Sequence, residues 1–276
     1  MKTAAVTGHP IKHSRSPLIH GHWLKKYGME GAYGKQDVPP ETAVEFYSNL
    51  QSHGLVGVNV TIPNKEAAFK AAQTLDDAAK AIGVVNTLWL DDEGTLHGAN
   101  TDALGFLGNL DQAAPGWDKA NKKAVVLGAG GAARAIVWAL LQREFTEVYI
   151  LNRTRQKAED LRDYFGERVI CDDWDNRSNT LENCDLLVNT TALGMSGQPD
   201  LEIDLALLPT HAVVTDIVYT PLITGLLEAA RGRGNSIVDG LGMLLHQAVP
   251  GFEKWFGVRP EVTDELRDII IADMEK

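Results

Sequence analysis

Residues 122–135 read Lys-Lys-Ala-Val-Val-Leu-Gly-Ala-Gly-Gly-Ala-Ala-Arg-Ala, and no other stretch narrows the fold as far. Ala124 to Leu127 form a short, apolar, largely β-branched run, the pattern of a buried parallel strand. Gly128 ends it. Beyond Gly130 the periodicity becomes helical, with Ile136, Val137, Leu140 and Leu141 on one face. A strand therefore turns into a helix through Gly128-Ala129-Gly130-Gly131-Ala132-Ala133. Gly128 permits the tight turn. Gly130 removes a side chain where a pyrophosphate must approach the backbone, and Ala133 keeps helix and strand close. The free N–H groups at the helix start face an anion. With a second strand over Glu147–Leu151, this is the G-x-G-x-x-A form of a dinucleotide fingerprint. The competing reading is a helix–strand crossing of small residues with no ligand.

The end of the second strand bears on which dinucleotide. Sites for the cofactor without a 2′-phosphate place a carboxylate there, on the ribose hydroxyls. Here the strand runs into Asn152-Arg153-Thr154, with Arg155 and Lys157 following. A guanidinium and a hydroxyl suit a 2′-phosphate, which favours NADP(H). The alternative is that Arg153 is a solvated residue, but cations at a helix start oppose the macrodipole and call for a reason.

Taken in order, the chain opens with a strand at Thr3–Thr7 and a loop, 8–17, rich in hydroxyls and imidazoles. Ser16-Pro17 reads as the cap and first residue of a helix to about Lys26, with Leu18, Ile19, Trp23 and Leu24 inward. Ser14 has no capping role, and two serines beside a helix start suit a carboxylate. A second strand is expected over Tyr33–Val38 and a helix over Pro40–Ser52. Gly57–Pro63 reads as a strand, after which Asn64-Lys65 opens a helix. Lysines are mostly surface solvators, yet Lys65 stands where parallel sheets hold ligands, in the company of Asn59, Thr61 and Asn64. A short helix is expected over Leu75–Ile82. Val84–Leu90 and Thr95–Ala99 alternate as a hairpin, with Asn86-Thr87 on one strand and Asn100-Thr101-Asp102 after the other. Asp102 is either the cap of an apolar-periodic helix (Leu104, Leu107, Leu110) or one half of a proton-handling pair with Lys65.

The polar stretch 113–121, with Pro115-Gly116, looks like a domain boundary. Beyond it, βαβ alternation from 122 to 238 makes a doubly wound parallel sheet. It includes strands at Leu186–Thr191 and Ala212–Tyr219, a helix from Thr220-Pro221 through Ala230, and a last strand at Ser236–Val238. A helix over Leu241–Trp255 carries Gln247, which either reaches the site or is solvated. This helix and a final one over Asp264–Met274 are expected to return to the first domain.

Composition excludes several classes. The net charge of −11 argues against nucleic acid, which needs a basic face. The eight histidines are scattered without ligand spacing, so no metal is expected. No run approaches the roughly 18 apolar residues of a membrane span, and the first residues do not resemble a signal peptide. Two cysteines, Cys171 and Cys184, fit reduced thiols of a cytoplasmic protein.

The motifs, in order and spacing, resemble those of the shikimate dehydrogenases. They are His13-Ser14-x-Ser16-Pro17, Asn59-Val60-Thr61-x-Pro63-x-Lys65, Gly83-x-Val85-Asn86-Thr87, Gly98-x-Asn100-Thr101-Asp102, the glycine turn from Gly128, Asn152-Arg153-Thr154, Asn189-Thr190-Thr191-x-x-Gly194-Met195, Asp216-x-Val218-Tyr219-x-Pro221 and Asp239-Gly240-x-Gly242-Met243-Leu244-x-x-Gln247. Departures are small: Val58 where Phe is frequent, Val84 where Ala is usual, and Gly21-His22 where an Asn often follows His. The resemblance implies an α/β fold of two domains. One is a substrate-binding and catalytic domain, 1–102, with 240–276 packing back on it. The other is a Rossmann-like NADP domain, 103–239. It implies Lys65 and Asp102 as the catalytic pair, and Ser14, Ser16, Thr61, Lys65, Asn86, Asp102, Tyr219 and Gln247 on the substrate. It implies Gly128, Ala129, Gly130, Gly131, Ala132, Asn152, Arg153, Thr154, Arg155, Lys157, Ile217 and Gly240 on NADP(H), with Asp77 sometimes added. The reaction implied is reversible NADPH-dependent reduction of 3-dehydroshikimate to shikimate in aromatic amino-acid biosynthesis, by a monomer or homodimer. The alternatives are a quinate/shikimate dehydrogenase using NAD, and a non-catalytic NADP(H) sensor, which has no reason to keep the Lys65/Asp102 pair.

Overall fold

The computed structural model describes residues 1–120 and 122–276; Asn121, the last residue of the expected boundary stretch, lies outside the described residues. The chain forms two compact units, Met1–Asp102 with Leu245–Lys276, and Ala103–Leu244.

The first unit contains β1 (Lys2–Gly8), α1 (Ser16–Lys26), β2 (Gly31–Asp37), α2 (Ala43–Ser48), β3 (Gly57–Val60), α3 (Lys65–Ala71), β4 (Thr74–Leu75), α4 (Asp77–Ile82), β5 (Thr87–Leu90) and β6 (Leu96–Ala99). Its six-stranded sheet has the order β2-β1-β3-β5-β6-β4. β1 runs parallel to β2 and β3, whereas β5 runs antiparallel to both β3 and β6. That mixture matters for chemistry. The ends of β1, β3 and β6 and the start of β5 all fall on one sheet edge. The segments carrying Ser14, Thr61 to Lys65, Asn86 and Asp102 leave from that edge.

Period-two alternation along β3 explains how this sheet is covered. Val58 and Val60 join a core with Ala5, Tyr47, Leu50 and Leu88 on one face. Gly57 and Asn59 point to the other, where α1 lies with α10 (Ala248–Phe256). A Cβ on Gly57 would stand 1.9 Å from Trp255 Nε1, so only glycine admits the indole. Trp255 is fully buried and donates from Nε1 to the Leu88 carbonyl at 2.9 Å, fixing the returning helix to the sheet. α11 (Asp264–Met274) follows it, and its Asp273 accepts from Arg15 Nε at 3.1 Å.

The second unit contains α5 (Asp102–Ala113, whose first residue belongs to the first unit), β7 (Lys123–Leu127), α6 (Gly131–Gln142), β8 (Glu147–Leu151), α7 (Arg155–Phe165), β9 (Val169–Asp172), β10 (Leu186–Asn189), β11 (Val213–Asp216), α8 (Gly225–Gly232), β12 (Ser236–Val238) and the start of α9 (Leu241–His246). Its sheet is wholly parallel, in the order β12-β11-β10-β7-β8-β9. The strand order reverses between β7 and β10, the point where open α/β sheets hold ligands. Ala124 to Leu127 are completely buried, as a parallel strand covered on both faces requires.

Several local expectations are corrected. Leu18 and Leu104 are exposed; His20 and Phe106 fill the buried faces instead. Arg15, not Ser16, is the α1 cap, and it caps with backbone alone. The region 40–52 is one α-helical stretch, α2, between two 3-10 turns. Leu75 pairs as a strand, and Asp76 caps α4 by accepting from Ala79 N–H. α8 begins at Gly225, capped by Thr224, not at Thr220-Pro221. The helix expected over 241–255 is interrupted at Gln247. Pro250 offers no N–H to the His246 carbonyl and its ring crowds that oxygen, so an unbroken helix cannot pass. The cut between the compact units falls at Leu244 because Gly240 and Gly242 pack tightly on Ile217 and Asn109 of the second unit.

Candidate active site

Lys65 and Asp102 meet. Lys65 Nζ donates to Asp102 Oδ2 at 2.5 Å, with both side chains partly buried. Lys65 stands in the first turn of α3 because β3 ends at Val60 and Thr61–Asn64 turn the chain. Asp102 is the first residue of α5, yet its carboxylate does not cap that helix. It accepts from Lys65 and, at Oδ1, from Asn86 Nδ2 at 2.9 Å. The N–H of Asp102 is taken instead by Asn100 Oδ1 at 3.1 Å. A carboxylate withdrawn from its helix and held against an ammonium suits proton handling better than capping.

The neighbouring polar groups are ordered around this pair. Asn86 Oδ1 accepts from Thr101 N–H at 2.8 Å. Thr101 Oγ1 donates to the Gln247 carbonyl at 2.8 Å, which anchors Gln247 beside the Asn86–Asp102 segment. At the end of β1, Ser14 Oγ donates to Ser16 Oγ at 3.2 Å and accepts from Ser16 N–H at 3.3 Å. Ser16 is buried and Ser14 half-buried. Thr61 follows β3 with its N–H on the Thr7 carbonyl at 2.9 Å. The sequence reading did not single out His20 or Tyr33, which sit behind these residues. His20 is completely buried, and burial lowers its imidazole to about 3, so it is neutral. Burial raises the Tyr33 phenol well above its ordinary value. A polar residue on the otherwise apolar Ile19–Trp23 face of α1 was the available signal.

In the second unit, Gly128 has φ +105°, and a Cβ there would stand 2.6 Å from Thr190 Oγ1 at the end of β10. The turn therefore requires glycine. A Cβ on Gly130 or Gly131 meets nothing within 4 Å, so the space at the start of α6 is open. Gly130 caps α6 without a side-chain bond, leaving the helix N–H groups available. At the end of β8, Asn152 Nδ2 holds the Thr154 carbonyl at 2.8 Å. Arg155 is engaged by Glu159 and Asp173. Arg153 is exposed and makes no ion pair among the described residues, and Lys157 is likewise exposed. Gly240 approaches Ile217 so closely that a Cβ would stand 2.4 Å from the Ile217 carbonyl oxygen. That carbonyl follows Asp216, a buried carboxyl that burial pushes upward and that Asn189, Thr224 and the Val218 N–H hold. Tyr219 is half-buried two residues beyond.

Asp77 is the remaining residue of the expected cofactor set. It is exposed at the start of α4 in the first unit, beside Lys80 Nζ at 3.5 Å.

The family model for the shikimate dehydrogenase substrate binding domain matches residues 6–88, that for shikimate / quinate 5-dehydrogenase residues 111–195, and that for the shikimate 5'-dehydrogenase C-terminal domain residues 240–264. The shikimate dehydrogenase (NADP(+)) of Mesorhizobium japonicum is 59% identical over 273 residues, covering 99% of this chain and 97% of its own. That of Azorhizobium caulinodans is 55% identical over 274 residues, with 99% and 97% covered. The chain belongs to the shikimate dehydrogenase family. Among solved structures, the shikimate 5-dehydrogenase of Thermus thermophilus in complex with NADP(H) and shikimate superposes with a TM-score of 0.81 at 36% identity, over 95% of each chain. Within this shikimate dehydrogenase family member, the expected two-domain α/β architecture with a Rossmann-like parallel sheet is present.

Proposed function

We propose that this protein catalyses the reversible NADPH-dependent reduction of 3-dehydroshikimate to shikimate. The observation that carries the reading is the Lys65–Asp102 pair at 2.5 Å, at the edge of a sheet whose neighbouring loops carry Ser14, Ser16, Thr61 and Asn86. A sensor has no use for such a pair. Near-identical length and 55–59% identity to NADP(+)-dependent shikimate dehydrogenases support the same substrate and cofactor.

NADPH, when bound, supplies the hydride for the C3 carbonyl. As charge grows on the carbonyl oxygen, the Lys65 ammonium stabilises it and donates the proton that completes the hydroxyl. In the oxidative direction the Lys65 amine takes that proton back. An ammonium has three donors. Asp102 engages one and so aims the others, while Asn86 Nδ2 holds the carboxylate in turn. Ser14 and Ser16 bind the substrate carboxylate by their hydroxyls, with Thr61, Asn86 and Gln247 of the same unit completing the polar contacts. Gly128 to Ala132 and the start of α6 receive the pyrophosphate, with Ile217 and Gly240 flanking the cofactor. Asn152, Arg153, Thr154 and Lys157 receive the 2′-phosphate. Because Arg155 is tied to Glu159 and Asp173, Arg153 is the principal cation for it. The two unpaired cysteines support a cytoplasmic location.

The carboxylate assignment has a direct test. Changing Ser14 and Ser16 together to Ala removes two hydroxyl donors to an anion. KM for shikimate is expected to rise about 10–100-fold, from two bonds to a charged group, with kcat changing much less. Steady-state kinetics with saturating NADP measure both. An unchanged KM would move the carboxylate to other residues.

A further inference from the structure

Behind the Lys65–Asp102 pair runs a hydrogen-bonded chain of buried and half-buried side chains. The Thr101 N–H, a backbone donor, meets Asn86 Oδ1 at 2.8 Å, so the carboxamide turns Nδ2 toward Asp102 Oδ1 at 2.9 Å. The Thr101 hydroxyl has one proton, and the Gln247 carbonyl at 2.8 Å takes it. Thr87 Oγ1 donates to Asn86 Oδ1 at 3.1 Å and also stands 3.3 Å from Thr101 Oγ1. The Thr87 oxygen then accepts from Asn59 Nδ2 at 3.2 Å, which leaves Asn59 Oδ1 facing away as an acceptor. That oxygen receives Tyr33 OH at 2.6 Å and His20 Nε2 at 3.2 Å. His20 is neutral, with one ring proton, and its Nδ1 has no partner, so the proton resides on Nε2. His20 and Tyr33, Asn59, Thr87, Asn86 and Asp102 are thus joined by one continuous series of hydrogen bonds, with Thr87 between the two carboxamides.

We propose that Tyr33, His20, Asn59 and Thr87 are positioning residues that keep the Asn86 carboxamide presenting its N–H to Asp102, and through Asp102 keep Lys65 aimed. If Asn86 turned over, its oxygen would face the carboxylate and push it off the geometry in which Lys65 is held. The inference rests on the catalytic reading of the Lys65–Asp102 pair. Thr87 is the decisive link because it is buried and touches both amides.

Thr87→Val keeps the shape of the side chain and removes the hydroxyl. For shikimate oxidation with NADP, kcat is expected to fall about tenfold or more, as small misplacements of reacting groups do, while KM for both substrates changes less than about threefold. Thr87→Ser, which restores the hydroxyl, is expected to recover most of the rate. Tyr33→Phe, measured alongside, is expected to lower kcat in the same sense and carries the test if Thr87→Val does not fold. A folded Thr87→Val with parental kcat, a Thr87→Ser as slow as Thr87→Val, or a Tyr33→Phe with parental kcat would each overturn the proposal. Lys65→Ala belongs in the same series. If Lys65→Ala is as active as the parent, the catalytic reading fails and the proposal with it. If Lys65→Ala is slow and Thr87→Val normal, the proposal alone fails.

Discussion

Lys65→Ala is expected to lower kcat by about 10²–10⁴-fold, the usual contribution of a positioned general acid–base group, with little change in KM. The side chain is partly buried and its Nζ reaches Asp102 Oδ2 at 2.5 Å. In the proposed mechanism its removal takes away the proton donor for the forming alkoxide, and it leaves Asp102 with Asn86 as a neutral partner. Neither loss is expected to change how the substrate carboxylate is held, if Ser14 and Ser16, on a different loop, bind it as proposed. The transition state therefore suffers while the ground state does not, and kcat and kcat/KM should fall together. Purified variant and parent, compared at saturating shikimate and NADP, give the answer. A kcat within a few-fold of the parent would remove Lys65 from the chemistry.

Arg153→Ala is expected to raise KM for NADP about tenfold or more, while kcat with NADP and any rate with NAD stay close to the parent. A single bond from a cation to a phosphate is worth up to about 3 kcal/mol, and exposure places Arg153 toward the lower part of that range. Which guanidinium is available decides the effect. Arg155 stands two residues on but is bound to Glu159 and Asp173, while Arg153 has no ion pair among the described residues. Arg155→Ala is thus expected to change KM for NADP far less. Equal losses with NADP and NAD in Arg153→Ala would point to a disturbed fold of the β8–α7 turn instead of a lost phosphate contact.

How much of this was legible in the sequence follows from physical range. The parallel sheet of the second unit was legible, because buried parallel strands such as Ala124–Leu127 are continuous apolar runs and the glycine turn is a local constraint. So was the hairpin at 84–99, whose strands β5 and β6 pair about Asp91–Gly94. Lys65 and Asp102 were legible as residue types near strand ends. Their pairing was legible as one of two alternatives for Asp102; what decides it is β5 running antiparallel between β3 and β6, a long-range pairing. Helix breaks were missed where one residue decides, as at Pro250. Exposure of Leu18 and Leu104 was missed because His20 and Phe106 take the inward positions, and periodicity does not weigh one apolar neighbour against another. The Asn59–Thr87–Asn86 relay was beyond sequence reasoning for a different reason. Amide orientation follows from proton counting among specific partners, which exists only once the partners are assembled.

The initial rate of cofactor reduction by the purified protein reads both substrate and cofactor preference. Near-ultraviolet absorbance follows it with shikimate or quinate against NADP or NAD in parallel. The account predicts fast reduction of NADP with shikimate and much slower rates in the other three combinations. A faster rate with NAD or with quinate, or no reduction in any combination by protein that still binds NADPH, would contradict it.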